Sequence, residues 1–495
     1  MLEISKEDVA ARLLFDNPWW DASPTMKIAF ENDPRRKYFD SFFRAVSDRT
    51  VRRAIVLMGP RRVGKTVMVY QAIRGLIDAG TPRVNIMYLS LETPIYTGLP
   101  LHGLLDVFAQ RFGHDRESML TICFDEIQYL RNWEVHLKSL VDSFPNYKFV
   151  VTGSAAAALR LKSTESGAGR FSDYVLPPLT FAEYLMFINR EKELIEEVPS
   201  VHPNRSGQLD FNATDISALN DEFINYLNYG GYPEAVFSET IRGDPSQYIK
   251  SDIIDKVLLR DLPSLYGISD IQELNRLFTT LAYNTGHEVS LEGLSKSSGV
   301  AKNTIKRYLE YLEAAFLVRR VERIDQNAKR FKRATHFKVY LANPSMRAAL
   351  FGQISPESDA MGALTETAIY SQWQHSHAAQ LFYARWKDGE IDIVYLESGE
   401  QKPQWVVEVK WSDRAHEVTA ELQNCLNFVK WHPEISQPLL ITTRAVRDLD
   451  VSIAGVRFNF QPSSIYAYTL GANIRKSLAL QPSSRNRAER ARKEK

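Results

Sequence analysis

The segment from Ala54 to Thr66 constrains the fold more than any other part of the chain. Its apolar start, Ala54–Met58, predicts a buried strand. The residues that follow fit the phosphate-loop pattern G-x-x-x-x-G-K-[ST] in full, as Gly59-Pro60-Arg61-Arg62-Val63-Gly64-Lys65-Thr66. An amphipathic helical pattern then runs from Val67 to Ile77. Strand, loop and helix therefore stand where a nucleotide-binding loop requires them.

This spacing suits a nucleotide phosphate for physical reasons. Glycines let the backbone curl so that N–H groups point at a phosphate, and the following helix adds the positive end of its dipole. We expect Gly59 through Val67 to hold ATP, with Lys65 reaching the β- and γ-phosphates and the Thr66 hydroxyl binding Mg²⁺. The alternative is a chance glycine turn between a strand and a helix.

A second apolar run, Leu120–Phe124, ends in the carboxylates Asp125 and Glu126. Downstream of a phosphate loop, this is the pattern of a Walker B strand. Asp125 would hold the Mg²⁺ shell through water, and Glu126 would orient and deprotonate the attacking water. A plain helix N-terminus is the alternative, and the order of the segments favours catalysis.

Further polar positions are candidates at the γ-phosphate. The strand that begins at Lys148 ends in small polar residues, and Thr152 or Ser154 would contact the γ-phosphate. The alternative is a simple Gly-Ser turn without a functional role. Two interpretations of Arg170 are equally compatible with the sequence. It is either an arginine finger that contacts the γ-phosphate, in its own subunit or a neighbour's, or a surface arginine. The alternation of strands and helices predicts an α/β fold with a parallel, doubly wound sheet, which binds nucleotide at the carboxyl ends of its strands.

Composition excludes several classes of protein. The 495 residues predict about three domains, and 44% apolar and 24% charged residues are ordinary for a folded soluble chain. A net charge of +1 gives no overall attraction to nucleic acid or membrane. The cysteines, Cys123 and Cys425, exclude a disulfide framework and fit a reducing compartment. With neither a signal pattern nor a long apolar run, we expect a cytoplasmic protein without a membrane partner.

Helical segments flank the predicted ATPase core of residues 51–190. Residues 1–50 should pack onto this core as helices, with the run Arg35-Arg36-Lys37 on a solvated face. Residues 191–270 predict a helical lid, which begins with a polar loop.

Residues 271–345 have the pattern of a winged helix. A short helix at 290–297, a glycine turn and a second helix at 302–316 precede strands at 317–324 and 336–341. The outer face of the second helix and the loop between the strands are polar or basic, through Lys302, Asn303, Thr304, Lys306, Arg307, Lys329, Arg330, Lys332 and Arg333. This pattern predicts contact with duplex DNA, and a module that only packs against protein is the alternative.

Residues 355–480 predict a domain with hydrolytic metal chemistry. In Glu408-x-Lys410 the alternation of a strand puts both side chains on one face, and Asp392 lies one hairpin earlier. Asp392 and Glu408 would bind one Mg²⁺, Glu366 would join them from a helix, and Lys410 would steady the attacking hydroxide or the scissile phosphate. Such a domain either cleaves DNA or only binds it. The basic tail, 481–495, is either a loose nucleic-acid contact or a frayed helix.

Together these motifs resemble a bacterial and archaeal family of AAA+-type predicted ATPases. Members belong near the signal-transducing (STAND-like) branch and carry a C-terminal restriction-endonuclease-like domain of unknown function. The resemblance rests on the phosphate loop, Phe124–Gln128, Thr152–Ser154, Gly169-Arg170, Leu179–Tyr184, Gly230–Pro233, Arg260-Asp261, Gly389–Asp392 and Val407–Lys410. It implies an ATPase core, a winged helix and a PD-(D/E)xK-like fold. One position departs from the family, because Asn343 stands where an acid usually follows the Lys-x-Tyr strand.

These expectations combine into an ATP-binding and ATP-hydrolysing switch that acts on DNA, with a metal-dependent nuclease-like domain, in defence or DNA processing. The alternative is a regulatory module whose nuclease-like domain is inactive and holds nucleic acid or a protein partner. A protein-remodelling ring is a third interpretation, but the sequence has no clear aromatic pore motif. A homo-oligomer is compatible with each scheme.

Overall fold

A computed structural model describes residues 5–21, 27–96, 99–154, 169–199, 209–330, 335–375, 380–397 and 402–479. The predicted basic tail, Lys332 and Arg333 lie outside these ranges. The chain divides into two compact units, one that runs up to Leu176 and one formed by Pro177–Lys476. Among the helices within these ranges, none has both the length and the apolar character needed to cross a membrane.

A five-stranded parallel sheet forms the centre of the first unit. Its strands are β1 (Ala54–Met58), β2 (Ile86–Ser90), β3 (Thr121–Asp125), β4 (Lys148–Gly153) and β5 (Phe171–Val175). They lie in the order β2-β3-β4-β1-β5. Strands β1 to β4 are buried along almost their whole length, as expected for a parallel sheet covered on both faces. The predicted parallel α/β fold is therefore confirmed.

Helices of the first unit alternate with these strands, apart from two that precede β1. They are α1 (Lys6–Asp16), α2 (Phe39–Ser47), α3 (Lys65–Asp78), α4 (Leu101–Phe112) and α5 (Trp133–Ser143). The segment after α1 covers the edge strand β2, where the Asn17 side chain bonds both the N–H and the carbonyl of Tyr88, at 2.6 and 2.8 Å. Covering this edge removes a set of unpaired backbone groups.

A nine-stranded mixed sheet dominates the second unit. Its strands are β8 (Glu288–Ser290), β9 (Val318–Ile324), β10 (His336–Leu341), β11 (Leu381–Trp386), β12 (Gly389–Leu396), β13 (Pro403–Glu408), β14 (Leu439–Thr443), β15 (Asp448–Ile453) and β16 (Val456–Pro462). The order is β15-β16-β14-β13-β12-β11-β9-β10-β8, and a separate hairpin pairs β6 (Ile195–Val198) with β7 (Asp210–Ala213).

The described helices of the second unit vary in length from 4 to 17 residues. They are α6 (Phe181–Phe187), α7 (Glu191–Leu194), α8 (Ile216–Tyr229), α9 (Pro233–Phe237), α10 (Glu239–Gly243), α11 (Pro245–Tyr248), α12 (Leu262–Tyr266), α13 (Ile271–Tyr283), α14 (Leu291–Ser298), α15 (Lys302–Ala314), α16 (Ser345–Phe351), α17 (Met361–Trp373), α18 (Arg414–Glu417), α19 (Gln423–Trp431) and α20 (Ser463–Ala479). Two stretches of π-helix, Ile249–Asp255 and Val257–Asp261, join α11 to α12.

The domain boundaries predicted from the sequence differ from the structure in two places. Strand β9 pairs in parallel with β11, so the strands expected to close a separate domain at 345 share one sheet with the C-terminal strands. Residues 177–190 were expected in the ATPase core and belong to the second unit. A capping box between Thr180 and Glu183 starts α6, whose Phe181 and Tyr184 are buried against Phe223 of α8 and its neighbours.

Asn343 takes part in a buried polar junction within the second unit. Its Oδ1 accepts hydrogen bonds from the N–H and hydroxyl of Ser345, at 3.0 and 2.6 Å, as a carboxylate would. Its amide Nδ2 also donates to the Tyr226 hydroxyl at 3.3 Å, which an ionised acid cannot do. Backbone of Gly231 approaches this side chain closely. The departure from the family pattern therefore has a specific structural use.

We predict that Gly231→Ala lowers the free energy of unfolding of the second unit by about 1–3 kcal/mol. The added Cβ would lie 2.3 Å from Cγ of Asn343, a fully buried side chain held by the hydrogen bonds above. Urea denaturation measures the change. Gly243→Ala is the matched control, because its Cβ meets nothing within 4 Å. Equal stability of the two variants would contradict this description of the junction.

Candidate functional site

The phosphate loop connects β1 to α3 with the backbone shape that its sequence requires. Arg62 and Gly64 have positive φ angles of 64° and 91°, which turn the chain into the first helical residue, Lys65. The buried Lys65 ammonium donates to the carbonyls of Gly59 and Pro60, at 3.1 and 2.7 Å. A cation is thus held against the loop at the helix N-terminus, where an anion is favoured.

Asp125 lies at the end of β3 and accepts hydrogen bonds from three hydroxyls. Thr66 Oγ1 donates to its Oδ2 at 2.8 Å, Tyr88 OH donates to the same oxygen at 2.9 Å, and Thr152 donates to Oδ1. The two side chains predicted to bind Mg²⁺, Thr66 and Asp125, are therefore in direct contact. Hydroxyl and carboxylate oxygens are the ligands that Mg²⁺ prefers, so this donor set fits the ion.

Glu126 is held beside Asp125 in a left-handed backbone conformation, with φ at 54°. Its N–H donates to Thr152 Oγ1 at 3.0 Å, and its carboxylate accepts a hydrogen bond from the Gln128 side chain. Gln128 also donates to Ser154 Oγ at 2.9 Å. A non-glycine residue in this conformation is costly and requires support from its surroundings.

The electrostatic environment of Glu126 suits a base. Burial raises the pKa of this carboxyl above its ordinary value, and the neighbouring charge of Asp125 raises it further. Lys65, the Gln128 hydrogen bond and Arg61 lower the pKa, without cancelling the effect of burial. A raised carboxyl pKa brings a base closer to the pH at which it exchanges protons efficiently.

Two residues of this site, Tyr88 and Gln128, were given no functional role from the sequence, and Thr152 was predicted only as a contact of the γ-phosphate. Thr152 positions both acidic residues, since it bonds the Asp125 carboxylate and the Glu126 N–H, instead of pointing only to a phosphate. Tyr88 and Gln128 each hold one of the two carboxylates. The available signal was the position of Thr152 near the end of β4 and of Gln128 just after β3, whereas Tyr88 lies in the middle of β2.

The expectation that Arg36 lies on a solvated face is wrong. Its side chain is only 4% exposed and its Nη1 donates to the Val63 carbonyl of the phosphate loop at 2.7 Å. The adjacent Arg35 is exposed and lies over the Phe39 ring, 4.2 Å from its centroid. Sequence alone gave no signal to distinguish two neighbouring arginines.

Arg170 does not reach the phosphate loop of its own chain. It precedes β5, and its carbonyl accepts a hydrogen bond from Ala54 N–H at the start of β1. The loop begins at the other end of β1, roughly 13 Å along the strand. The Arg170 guanidinium instead pairs with Asp142 at 2.9 Å, with a side chain that is 44% exposed. The prediction of a finger acting on its own subunit's nucleotide is therefore wrong, because the residue lies at the amino end of the strands.

The acidic residues predicted to form a nuclease site surround a lysine. Lys338 Nζ on β10 lies 2.8 Å from Glu366, 2.6 Å from Glu390 and 3.1 Å from Asp392. Glu408 pairs separately with Lys410, at 2.8 Å. Across the part of the chain that the structure describes, no three His, Cys, Asp or Glu side chains form a group able to hold a metal ion. In this arrangement Asp392, Glu408 and Glu366 do not form the predicted Mg²⁺ site, because the Lys338 ammonium lies between Glu366 and Asp392 and Glu408 is paired with Lys410.

Burial is the main cause of the changed pKa values of the carboxyl groups in this cluster. Burial and the charge of Asp392 raise the pKa of Glu366 to about 7 and that of Glu408 to about 8. Burial opposes ionisation of Asp392 as well, but Lys338, Lys410 and the Val409 N–H together lower the pKa of this carboxyl. Asp392 is thus the acid that stays ionised most readily.

The predicted DNA-contacting face is partly available. Lys302, Asn303, Lys306 and Arg307 are exposed on α15, whereas Thr304 is half-buried. Lys329 and Arg330 are both exposed, and the Arg330 guanidinium also lies over the Phe382 ring, 4.4 Å from its centroid, and donates to Gln380. Among the described residues, exposed basic side chains are therefore present both on this helix face and in the loop between β9 and β10.

The sheet order and the phosphate loop define a P-loop NTPase-like α/β fold in the first unit. Comparison with known families agrees: residues 51–185 match the model of an AAA domain, and residues 220–357 match a domain of unknown function (DUF8612). The chain thus carries an AAA-type nucleotide-binding domain of the kind found in ATPases.

Relatives among known proteins extend beyond this domain. An uncharacterized protein of Haemophilus influenzae is 26% identical over 305 residues, which are 60% of this chain and 69% of that protein. The uncharacterized protein MJ1544 of Methanocaldococcus jannaschii is 22% identical over 383 residues, 74% of this chain and 77% of that one. The AMPPCP-bound DnaA of Aquifex aeolicus has a TM-score of 0.30 and 11% identity, over 59% of this chain and 92% of that chain. A TM-score of this size carries no inference about function.

We predict that Arg36→Met weakens ATP binding about tenfold. Loss of the charged hydrogen bond to Val63 removes on the order of 1.5–3 kcal/mol of support from the loop. Isothermal titration with ATP and Mg²⁺ measures the change. Arg35→Met is the control and should bind as the wild type does, since Arg35 does not touch the loop. Equal affinities for the two variants would contradict a role for Arg36.

We predict that Gln128→Leu moves the acid limb of the pH–rate profile for ATP turnover to higher pH. Glu126 acts as a base only when ionised, and its raised pKa already places the loss of activity above the range of an ordinary glutamate. Removing the Gln128 donor destabilises the carboxylate and raises the pKa further. Gln423→Leu, an exposed glutamine on α19, should leave the limb unchanged. An unshifted limb in Gln128→Leu would contradict this role.

Proposed function

We propose that the protein is an ATP-hydrolysing switch that binds DNA. The observation that carries the ATPase part is the cluster around Asp125, in which Thr66, Thr152 and Tyr88 hold a carboxylate beside the phosphate loop and next to the candidate base Glu126. Together with the AAA domain match, this arrangement supports hydrolysis rather than nucleotide storage alone.

Each residue of the site has a separate task in this proposal. Backbone N–H groups of the phosphate loop and the start of α3 bind the phosphates, and the Lys65 ammonium exchanges its carbonyl partners for phosphate oxygens. Thr66 and Asp125 would hold Mg²⁺, which neutralises phosphate charge when bound. Glu126 accepts a proton from the attacking water, and Gln128 aligns its carboxylate. Ser154, next to Gln128, is the remaining candidate to contact the γ-phosphate.

The DNA-binding part rests on the elements between α13 and β10. Their order of helix, strand, two helices and two strands supports a winged helix, in which α15 is the helix that enters a DNA groove. Its exposed Lys302, Asn303, Lys306 and Arg307 are the residue types that contact phosphates and bases. A role for Arg170 is proposed only in a homo-oligomer, where its exposed side chain would serve a neighbour's nucleotide.

For the C-terminal strands and α17, a PD-(D/E)xK-like fold that binds without cutting is the second candidate. The observation that favours it over a nuclease is the Lys338 ammonium among Glu366, Glu390 and Asp392. Lys410 is engaged with Glu408 and would have to leave this partner to act on a phosphodiester.

DNA binding by α15 is tested with a charge-reversal pair. Fluorescence anisotropy with duplex DNA should show at least tenfold weaker binding for Lys306→Glu/Arg307→Glu. Loss of about two phosphate contacts should also make log Kd less dependent on log salt, by a slope of roughly 1.8. Lys387→Glu/Lys430→Glu carries the same charge change on exposed residues elsewhere and should bind almost as the wild type does. Equal binding by both pairs would overturn the proposed DNA surface.

Coupling between ATP binding and DNA binding is tested by measuring DNA affinity with and without ATP. If ATP changes DNA affinity in the wild type, Lys65→Ala should remove that dependence, because it loses the cation that binds the β- and γ-phosphates. An ATP effect that persists in Lys65→Ala would contradict a switch operated from the phosphate loop.

A further inference from the structure

Lys338 is the most deeply buried of the charged side chains around Asp392, at 2% exposed. We propose that Lys338 is the resident cation of this carboxylate cluster, so that the C-terminal module works without a divalent metal. This inference departs from the metal chemistry that the sequence resemblance implies, and it depends on neither the ATPase nor the DNA-binding proposal.

Three carboxylates surround the Lys338 ammonium. Lys338 Nζ donates hydrogen bonds to Glu366 at 2.8 Å and to Asp392 at 3.1 Å, and it forms an ion pair with Glu390 at 2.6 Å. The surrounding oxygens have further partners. Tyr340 OH donates to the same Glu366 oxygen at 2.5 Å, and the Val409 N–H donates to the second oxygen of Asp392 at 2.9 Å. A divalent ion would have to displace this whole set.

Charge also opposes a second cation at this point. Besides Lys338, the Arg385 guanidinium lies 3.1 Å from Glu390 and the Lys410 ammonium lies 2.8 Å from Glu408. Three cations of the chain therefore already offset most of the charge of the four carboxylates. A metal ion beside the Lys338 ammonium would be repelled by it, most strongly in this buried, low-dielectric setting.

The lysine cannot easily swing away, because its strand is inside the sheet. Lys338 is paired with Glu288 of β8 on one side and with Val321 of β9 on the other. Moving its backbone would break ladder hydrogen bonds on both sides, and moving only its side chain would take this cation away from the buried carboxylates of Glu366 and Asp392. Such a loss is strongly destabilising. The arrangement is therefore a fixed property of the fold and not a gate.

One further atom indicates what the cluster would do without Lys338. Within the described residues, Glu408 Oε2 is buried and has no hydrogen-bond partner, although Glu408 Oε1 is paired with Lys410. Removal of the ammonium would leave oxygens of Glu366, Glu390 and Asp392 around the position that Nζ occupies, in addition to this unpaired oxygen of Glu408. Carboxylate oxygens are the preferred ligands of Mg²⁺ and Mn²⁺. Replacement of Lys338 by a neutral side chain of similar length should therefore create a metal site.

The test is Mn²⁺ binding by the full chain without nucleotide, measured by electron paramagnetic resonance. The ATP site then contributes equally to every variant. We expect Lys338→Met to gain one Mn²⁺ per chain, at least tenfold tighter than any wild-type binding, and Lys338→Met/Asp392→Asn to lose it. Lys410→Met is the matched control and should gain nothing, because Lys338 still fills the cluster.

Two outcomes would overturn the inference. One is a wild-type protein that binds Mn²⁺ at a site lost in Asp392→Asn, since the lysine would then yield to metal. This comparison does not need Lys338→Met to fold. The other is a Lys338→Met protein with native circular dichroism that binds no additional Mn²⁺, since the lysine would then not be what excludes the ion.

Discussion

The Asp125 carboxylate is the point on which the first unit depends. Its hydroxyl partners come from the start of α3, from β2 and from β4, so one side chain joins the phosphate loop to two strands. Thr152 extends this set to the Glu126 N–H and thereby supports the left-handed backbone of the candidate base. Buried hydrogen bonds to a charged group are individually strong and costly to leave unmade, which explains how a parallel sheet fixes catalytic geometry at its carboxyl edge.

A different constraint organises the second unit. Buried carboxylates require compensating charge, and Lys338 supplies it from a strand that the sequence assigned to another domain. The pairing of β9 with β11 makes this possible by joining both groups of strands in one sheet. The strands of the candidate DNA-binding elements and the C-terminal strands consequently belong to one hydrogen-bonded sheet.

Motif spacing and strand order predicted what is local in sequence. The phosphate loop, Asp125 and Glu126 could be placed because a strand that ends in a glycine loop, or in two acids, has few other uses beside a nucleotide. Arg36 and Lys338 could not be placed, because their partners, Val63 and Glu366, are distant in sequence and no periodic pattern connects them. The error at Arg170 has another origin: sequence shows that a residue is near a strand, but here it lies at the end opposite to the nucleotide edge. Asn343 is a milder case, since its departure from the family pattern was visible but its amide partner, Tyr226, was not.

The central claim is that Glu126 is the base of an ATPase whose geometry is set by the Asp125 cluster. Phosphate release from ATP should be compared in the wild type and Glu126→Gln, with ATP affinity measured on the same preparations. The amide keeps the shape and the approach of Gln128 but cannot accept a proton, so we expect ATP binding to be retained and turnover to fall by about a hundredfold or more. Unchanged turnover in Glu126→Gln would contradict the account.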